Sequence, residues 1–161
     1  MQTKSVSGII SMVAALLIIV CGAPVSDVFA KDDSDGGGCS NRTLKGNYGF
    51  AIEGLILAGG GVTVPLRGVA LTNFDGKGNL TQVDHVVAGG TPPPTEWTPG
   101  SGPYTVNPDC TGTAQINIPG SPFSPVHLHF VVVRQGKEIH TVVDPNPGQA
   151  NASTSVGIRV E

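Results

Sequence analysis

Residues 66–87 read LRGVALTNFDGKGNLTQVDHVV, and this stretch decides the fold class. Two runs rich in β-branched and apolar residues, 66–74 and 79–87, flank the tetrapeptide Asp75-Gly76-Lys77-Gly78. The runs favour strands, and the glycines of the tetrapeptide permit the backbone conformations that a tight reversal needs. The stretch therefore predicts a β-hairpin.

The strand pattern recurs on both sides of this hairpin, in segments that alternate large apolar residues with small or polar ones. Two glycine- and proline-rich stretches, 55–65 and 88–102, interrupt the pattern, and we predict loops there. For residues 55–65 the alternative is a strand continuation that is broken at Gly59-Gly60-Gly61. The further predicted strands are residues 48–54, 103–107, 113–118, 126–134, 137–143 and 154–160.

About eight short strands and no convincing helical stretch are typical of an all-β domain. The chain has 23 Gly and 13 Pro, which interrupt helices and mark turns between short strands. The fold class that we predict is an antiparallel barrel of about eight strands, with a two-sheet sandwich as the alternative. A barrel has the advantage that it leaves no strand edge exposed.

The first thirty residues have the features of a cleavable signal peptide. Lys4 supplies a positive charge and residues 9–20 form an apolar core. Pro24 then breaks the helix, and Val28-Phe29-Ala30 is a cleavage sequence. The apolar core is short for a membrane span, so we expect cleavage after Ala30 and no stable membrane span afterwards. An uncleaved anchor and a lipoprotein are the alternatives. The expected location is periplasmic or secreted.

Cleavage after Ala30 removes Cys21 and leaves two cysteines, Cys39 and Cys110. Because disulfides persist in oxidising compartments outside the cytoplasm, we predict that these two pair. We expect residues 31–38 (KDDSDGGG) to form a flexible tail, since they contain charges and glycines but no apolar anchor. Residues 39–161 are then a single domain.

Charge and composition narrow the choice of partner. Charged residues make up 13% of the chain and the formal net charge is -3, so no basic surface is available to neutralise a row of phosphates. Nucleic acid is therefore excluded as an expected partner. The sequence also points to no cofactor and to no catalytic residue, since it has neither a paired Cys-x-x-Cys motif nor a Gly-x-Ser-x-Gly elbow.

Several short motifs between residues 39 and 118 resemble a group of exported bacterial proteins. They are Cys39, LKGNYGF at residues 44–50, FDGKG at 74–78, GPYTV at 102–106 and DCTG at 109–112. The resemblance implies a calycin-like or allene oxide cyclase-like β-barrel and implies no activity. The same residues have a plain structural interpretation, in which Tyr48 and Phe50 fill a core, the cysteines close the barrel, and four glycines form turns. These glycines are Gly46, Gly76, Gly78 and Gly112.

Histidines in the third predicted hairpin suggest a metal site. A two-residue turn at Gln135-Gly136 pairs residue 131 with 140 and places His127, His129 and His140 on one face, with Asp144. Diagonal neighbours such as His129 and His140 can both reach one zinc or copper ion. If the opposite, more apolar face is the core, the histidines instead point outward and are solvated or pair with Glu138 and Asp144.

Glu53, Glu96 and Trp97 are the candidate ligand-binding residues. Either carboxylate could act as a general base if it were buried in a pocket, and Trp97 lies with Glu96 in the predicted loop 88–102. Asp84 and His85 are not expected to form a dyad, because adjacent strand residues project to opposite faces.

The leading functional hypothesis is a non-enzymatic exported barrel that binds a small apolar or amphipathic ligand, or an envelope partner. One alternative is an isomerase or cyclase that acts on a similar molecule. The other is a structural or surface-interaction protein whose barrel interior is filled.

Overall fold

The computed structural model of the chain describes residues 38–58, 60–144 and 150–161. Within them, eight antiparallel strands each pair with the next, and β8 pairs with β1 to close a barrel. The predicted signal peptide, residues 1–30, and all of the predicted tail except Gly38 lie outside the described residues. The strands are β1 (Gly46–Ala58), β2 (Val62–Phe74), β3 (Asn79–Ala88), β4 (Thr98–Val106), β5 (Thr111–Ile116), β6 (Val126–Val133), β7 (Glu138–Asp144) and β8 (Asn151–Arg159).

The hairpin predicted from residues 66–87 is confirmed. Strands β2 and β3 pair from Leu66 with Ala88 to Phe74 with Leu80. Asp75 fixes the turn, because its Oδ1 accepts hydrogen bonds from the backbone N–H groups of Lys77, Gly78 and Asn79 at 2.6, 2.9 and 3.0 Å. Gly76 and Gly78 adopt positive φ angles of 76° and 116°, which explains the two glycines in this turn.

The prediction of a loop at residues 55–65 is wrong, and the alternative of a strand continuation holds, because β1 and β2 run through most of this segment as one long hairpin. Their pairing continues from Leu55 with Pro65 to Ala58 with Val62. Gly60 and Gly61, the described glycines of the triplet, form a turn and have φ angles of 77° and 81°. Apolar residues on both sides of the triplet favour the strand over the loop.

The second predicted loop, 88–102, is too long at its C-terminal end, since β4 already begins at Thr98. Two glycines of β4 are strand residues for a packing reason. A Cβ on Gly100 would lie 2.9 Å from Cγ2 of Ile116, and one on Gly102 would lie 1.9 Å from the carbonyl oxygen of Gln115. These two glycines are therefore explained by the close approach of β4 to β5, and they do not mark a strand end.

One end of the barrel is closed by a packed core. A short 3₁₀ helix, Asn41–Leu44, lies at this end, and Leu44 and Tyr48 are fully buried. The ring of Phe74 packs edge to face against both neighbouring tyrosines, 5.4 Å from Tyr48 and 4.9 Å from Tyr104 between centroids. The Tyr48 hydroxyl donates a hydrogen bond to the carbonyl of Gly136, in a second 3₁₀ turn, Arg134–Gly136.

The predicted disulfide between Cys39 and Cys110 is present. It joins the segment before the first 3₁₀ helix to the turn between β4 and β5, and the backbone N–H of Cys39 also donates to the carbonyl of Pro108 at 3.0 Å. Both contacts hold the N-terminal segment against the closed end. Among the residues that the structure describes, no helix has the length and hydropathy needed to span a membrane.

The motifs quoted above lie mainly at this closed end, as their structural interpretation expects. Tyr48, Phe74 and Tyr104 form the aromatic core there, and the cysteines close it. Gly46 and Gly112 differ from that expectation, because they lie within β1 and β5 and not in turns. A Cβ on Gly112 would come within 2.3 Å of the ring of Phe130, so packing explains this glycine.

Candidate ligand cavity

A cavity of about 610 Å³ occupies the barrel interior above the aromatic core. This volume is within the range of sites that hold one small molecule. Its wall is mostly apolar, because inward positions on the strands carry large hydrophobic side chains. These include Phe50, Ile52, Leu66, Ile116, Leu128 and Phe130.

Loops at the other end of the barrel border the cavity. Pro93, Pro94 and Thr95, from the loop between β3 and β4, contribute to the wall. Residues 119–123 (PGSPF), from the loop between β5 and β6, contribute as well. The prolines restrict the backbone on both sides of the opening, so part of the cavity rim is conformationally stiff.

A row of three polar side chains interrupts the apolar wall on β2 and β3. Gln82 is central: its Nε2 donates to Oδ2 of Asp84 at 2.9 Å, and its Oε1 lies 3.4 Å from Oγ1 of Thr72. All three side chains line the cavity. The row is thus a hydrogen-bonded strip set into a hydrophobic wall.

Asp84 is the only ionisable residue among the described residues that line the cavity. It is 6% exposed. Burial raises the pKa of its carboxyl group, and the hydrogen bond from Gln82 and the nearby His85 act in the opposite direction with smaller effect. The folded protein therefore favours the protonated form of Asp84 more than water favours the protonated form of an exposed aspartate.

Polar side chains also line the wall formed by β7 and β8. The hydroxyl groups of Thr141 and Ser155 are 2.7 Å apart and hydrogen-bonded to each other. Ser153 and Asn151 follow on the inner face of β8, and both are buried. The Oδ1 atom of Asn151 is buried and has no hydrogen-bond partner among the described residues.

The three residues proposed from the sequence as ligand-binding lie outside this cavity. Glu53 is on the outer face of β1, where its Oε2 is 3.9 Å from a guanidinium nitrogen of Arg67. Trp97 is 47% exposed, and its ring packs against His85 on the outside with 6.2 Å between centroids. Glu96 is exposed in the same loop. The structure therefore gives none of the three a position in the cavity wall.

The histidine register in the third hairpin is as predicted, with residue 131 opposite 140 and residue 127 opposite 144. The turn is longer than expected, because residues 134–137 separate the strands. Apolar neighbours on these strands point inward, so His129 and His140 are exposed outside. Oxygens of Asp144 and Glu138 lie 3.7 Å from Nδ1 of His129 and 2.7 Å from Nε2 of His140, respectively.

Within residues 38–58, 60–144 and 150–161, no three His, Cys, Asp or Glu side chains are grouped so that they could hold a metal ion. The metal site suggested for His127, His129 and His140 thus stays a prediction without a converged set of ligands. For His129 and His140 the arrangement matches the other interpretation, in which they are surface residues that pair with carboxylates. His127 is half-buried and lies opposite Asp144 in the strand pair.

The sequence predicts for Asp84 only that its side chain and that of His85 project to opposite faces of a strand. That separation is confirmed, since Asp84 is buried in the cavity wall and His85 contacts the exposed loop. Strand alternation could have indicated that Asp84 faces the interior, because residues 80, 82, 84 and 86 share one face of β3. Leu80 marks that face as the interior.

Comparison of the chain with protein-family models, with curated proteins and with solved structures finds no match.

Proposed function

We propose that this protein is an exported β-barrel that binds a small apolar or amphipathic molecule in its interior. The observation that carries the proposal is the cavity of about 610 Å³, with its apolar wall and a few polar groups. Cavities of this size and composition are typical of small-molecule sites, and an eight-stranded barrel is wide enough to hold one such ligand.

Export is part of the proposal. The disulfide between Cys39 and Cys110 supports it, because disulfides persist mainly outside reducing compartments. The closed antiparallel barrel also supports the calycin-like or allene oxide cyclase-like relationship that the motifs suggest. Mass spectrometry of the exported protein tests the first point, since cleavage after Ala30 requires an N-terminus at Lys31.

Ligand binding is tested with N-phenyl-1-naphthylamine, an uncharged dye that fluoresces in apolar sites. We expect saturable binding to the wild-type protein, and a large loss of binding in Ala70→Phe, since the Ala70 side chain lines the cavity. Val69→Phe is the matched control, because Val69 is 52% exposed on the outer face of the same strand. Equal binding by both variants would place the dye on the surface and contradict the proposal.

Native mass spectrometry of protein purified from its own host complements the dye. A copurified small molecule, lost from Ala70→Phe and kept by Val69→Phe, identifies the natural ligand directly. The volume of the cavity argues against a structural role with a filled interior. A protein that consistently carries no molecule and binds no dye would nevertheless favour that role over ligand binding.

An isomerase or cyclase is the second candidate function, and Asp84 is the observation that favours it. A carboxyl group buried in an apolar cavity with a raised pKa has the properties of a general acid or base. Isomerisation leaves the mass of the molecule unchanged. We would therefore follow the copurified molecule by chromatographic retention during incubation with wild-type protein and with Asp84→Asn. Conversion by the wild type alone supports the enzyme, and no conversion supports the carrier.

A further inference from the structure

The charges and hydrogen-bonding atoms of the cavity wall narrow the class of ligand. Asp84 is the only ionisable side chain on this wall among the described residues, and no Lys, Arg or His lines it. A ligand with a carboxylate, phosphate or sulfate head would therefore meet no cation to pair with. An ionised Asp84 would also repel it, and repulsion between like charges is strong in a site with little water.

Two acceptor oxygens of this wall receive no hydrogen bond from a described residue. Oδ2 of Asp84 accepts from Gln82 at 2.9 Å, whereas Oδ1 has no partner among the described residues. Oδ1 of Asn151, whose residue is 8% exposed, also has none. A buried acceptor without a partner, such as Oδ1 of Asn151, is unfavourable, so a bound molecule that donates hydrogen bonds is stabilised here more than one that only accepts them.

A buried carboxylate needs a positive partner more than it needs a neutral one. Asp84 is more than nine-tenths buried, and the one hydrogen bond that its carboxylate receives from the described residues comes from a neutral amide. An ammonium group carries only donors and a full positive charge, so it can satisfy both the charge and the acceptors. A hydroxyl group supplies one donor and no charge.

From this geometry, and on the basis of the function proposed above, we infer that the cavity binds an amphipathic molecule with a protonated amine head, which contacts Asp84, and an apolar body. The apolar body lies against Phe50, Leu128 and the other hydrophobic side chains of the wall. Gln82 is a positioning residue, because its amide holds one carboxylate oxygen and leaves the other free for the ligand.

Three probes with the same apolar chain and different heads test this inference: decylamine, decan-1-ol and decanoic acid. Near neutral pH the amine is protonated and the acid is ionised. Each is titrated by calorimetry into the purified protein with its disulfide intact, below the concentration at which the probe forms micelles. We expect decylamine to bind roughly tenfold more tightly than decan-1-ol, and decanoic acid to bind most weakly.

Asp84→Asn separates charge from shape, because the asparagine side chain has nearly the same size and can still accept from Gln82. We expect this variant to lose roughly tenfold in affinity for decylamine while its affinity for decan-1-ol is unchanged. Glu53→Gln is the control, because it removes the same charge from the outer face of the barrel, where the carboxylate is exposed. It should bind all three probes as the wild type does.

The outcomes separate this inference from the proposed function. Equal affinity for the three heads, or tightest binding of decanoic acid, overturns the amine inference and leaves ligand binding in place. No binding of any probe, together with no binding of the naphthylamine dye, contradicts the proposed function itself. The comparison of heads in the wild-type protein holds even if Asp84→Asn does not fold.

Discussion

The hydroxyl of Tyr104 donates a hydrogen bond of 3.0 Å to the backbone carbonyl of Asn41, which lies 63 residues earlier in the chain. The same oxygen accepts a hydrogen bond of 3.0 Å from the backbone N–H of Gly76. One phenol group therefore connects strand β4, the first 3₁₀ helix and the turn between β2 and β3. These three elements are far apart in sequence and together form the closed end of the barrel.

Tyr104→Phe should therefore lower the free energy of unfolding by about 1–3 kcal/mol, because it leaves the buried N–H of Gly76 and the part-buried carbonyl of Asn41 without their partner. The measurement is urea denaturation of both proteins. Thr105→Val is a suitable control, since Thr105 is exposed on the same strand and its replacement should change stability by no more than about 0.5 kcal/mol. Equal stability of Tyr104→Phe and the wild type would mean that water replaces the lost contacts.

The disulfide should contribute stability through the loop that it closes. Cys39 and Cys110 are 71 residues apart, and the chain-entropy model gives about 4 kcal/mol for a loop of this length. We expect the double variant Cys39→Ser/Cys110→Ser to unfold at much lower urea concentration. A reducing agent should destabilise the wild type to a similar degree and have no effect on the variant. A reductant effect of equal size on both would point to a cause other than this bond.

The strands of the fold were predictable where their determinants are local. The hairpin at residues 66–87 depends on Asp75 and the two glycines that follow it, and both features are visible in the sequence. The pairing of residue 131 with 140 was predicted even though the turn is longer than assumed. A turn of two residues and one of four preserve the same parity of strand faces, so the error in turn length did not change the register.

Features that depend on contacts between distant segments were not predictable. Gly100 and Gly102 look like loop residues, and only their approach to Ile116 and Gln115 explains why β4 needs them. The candidate site shows the same limit. Alternation places Asp84 on the face of Leu80, but whether that face surrounds a cavity depends on how all eight strands close.

Asp84 should make the stability of the protein depend on pH in an unusual direction for a carboxyl group. Because burial raises its pKa in the folded state, the folded protein binds this proton more tightly than the unfolded chain does. The effect is absent below the unfolded pKa of about 3.9 and grows, as a loss of stability, while the pH rises through the folded pKa.

Asp84→Asn should therefore have a higher melting temperature than the wild type at neutral pH, and the difference should disappear on acidification. Thermal unfolding at a series of pH values measures this. Glu53→Gln, which removes an exposed carboxylate, controls for the change in net charge. A lower melting temperature for Asp84→Asn at neutral pH would show that the ionised carboxylate stabilises the empty barrel.

Asp75 should have the opposite effect. Hydrogen bonds from the Asn79 backbone and side chain, and from Lys77 and Gly78, lower the pKa of its carboxyl group to about 2. The stability that the ionised form contributes is present above the unfolded pKa of about 3.9 and is lost as the pH falls through about 2. Asp75→Ala should thus melt several degrees below the wild type at neutral pH and approach it near pH 2. Parallel melting curves of the two proteins at all pH values would argue against this role for the turn.

Gly112 tests how closely the strands pack around Phe130. The position has an ordinary strand conformation, so alanine would be acceptable to the backbone, yet its Cβ would lie 2.3 Å from the Phe130 ring and 2.5 Å from the carbonyl oxygen of Thr105. A ring can move, but a backbone carbonyl in a paired strand cannot move far without loss of its ladder.

Gly112→Ala should therefore destabilise the fold by about 1–3 kcal/mol, as overpacking usually does. Gly49→Ala is the matched control: Gly49 is also a strand glycine, but the nearest atom to its added Cβ is Cγ2 of Val160 at 4.0 Å. That change should be neutral or stabilising by a few tenths of a kcal/mol, because alanine reduces the freedom of the unfolded chain. Urea denaturation of the two variants compares one substitution at two sites. The two sites differ in the space available for the added Cβ. Similar stability losses would therefore show that the loss of glycine itself, and not contact with Phe130 and Thr105, governs both positions.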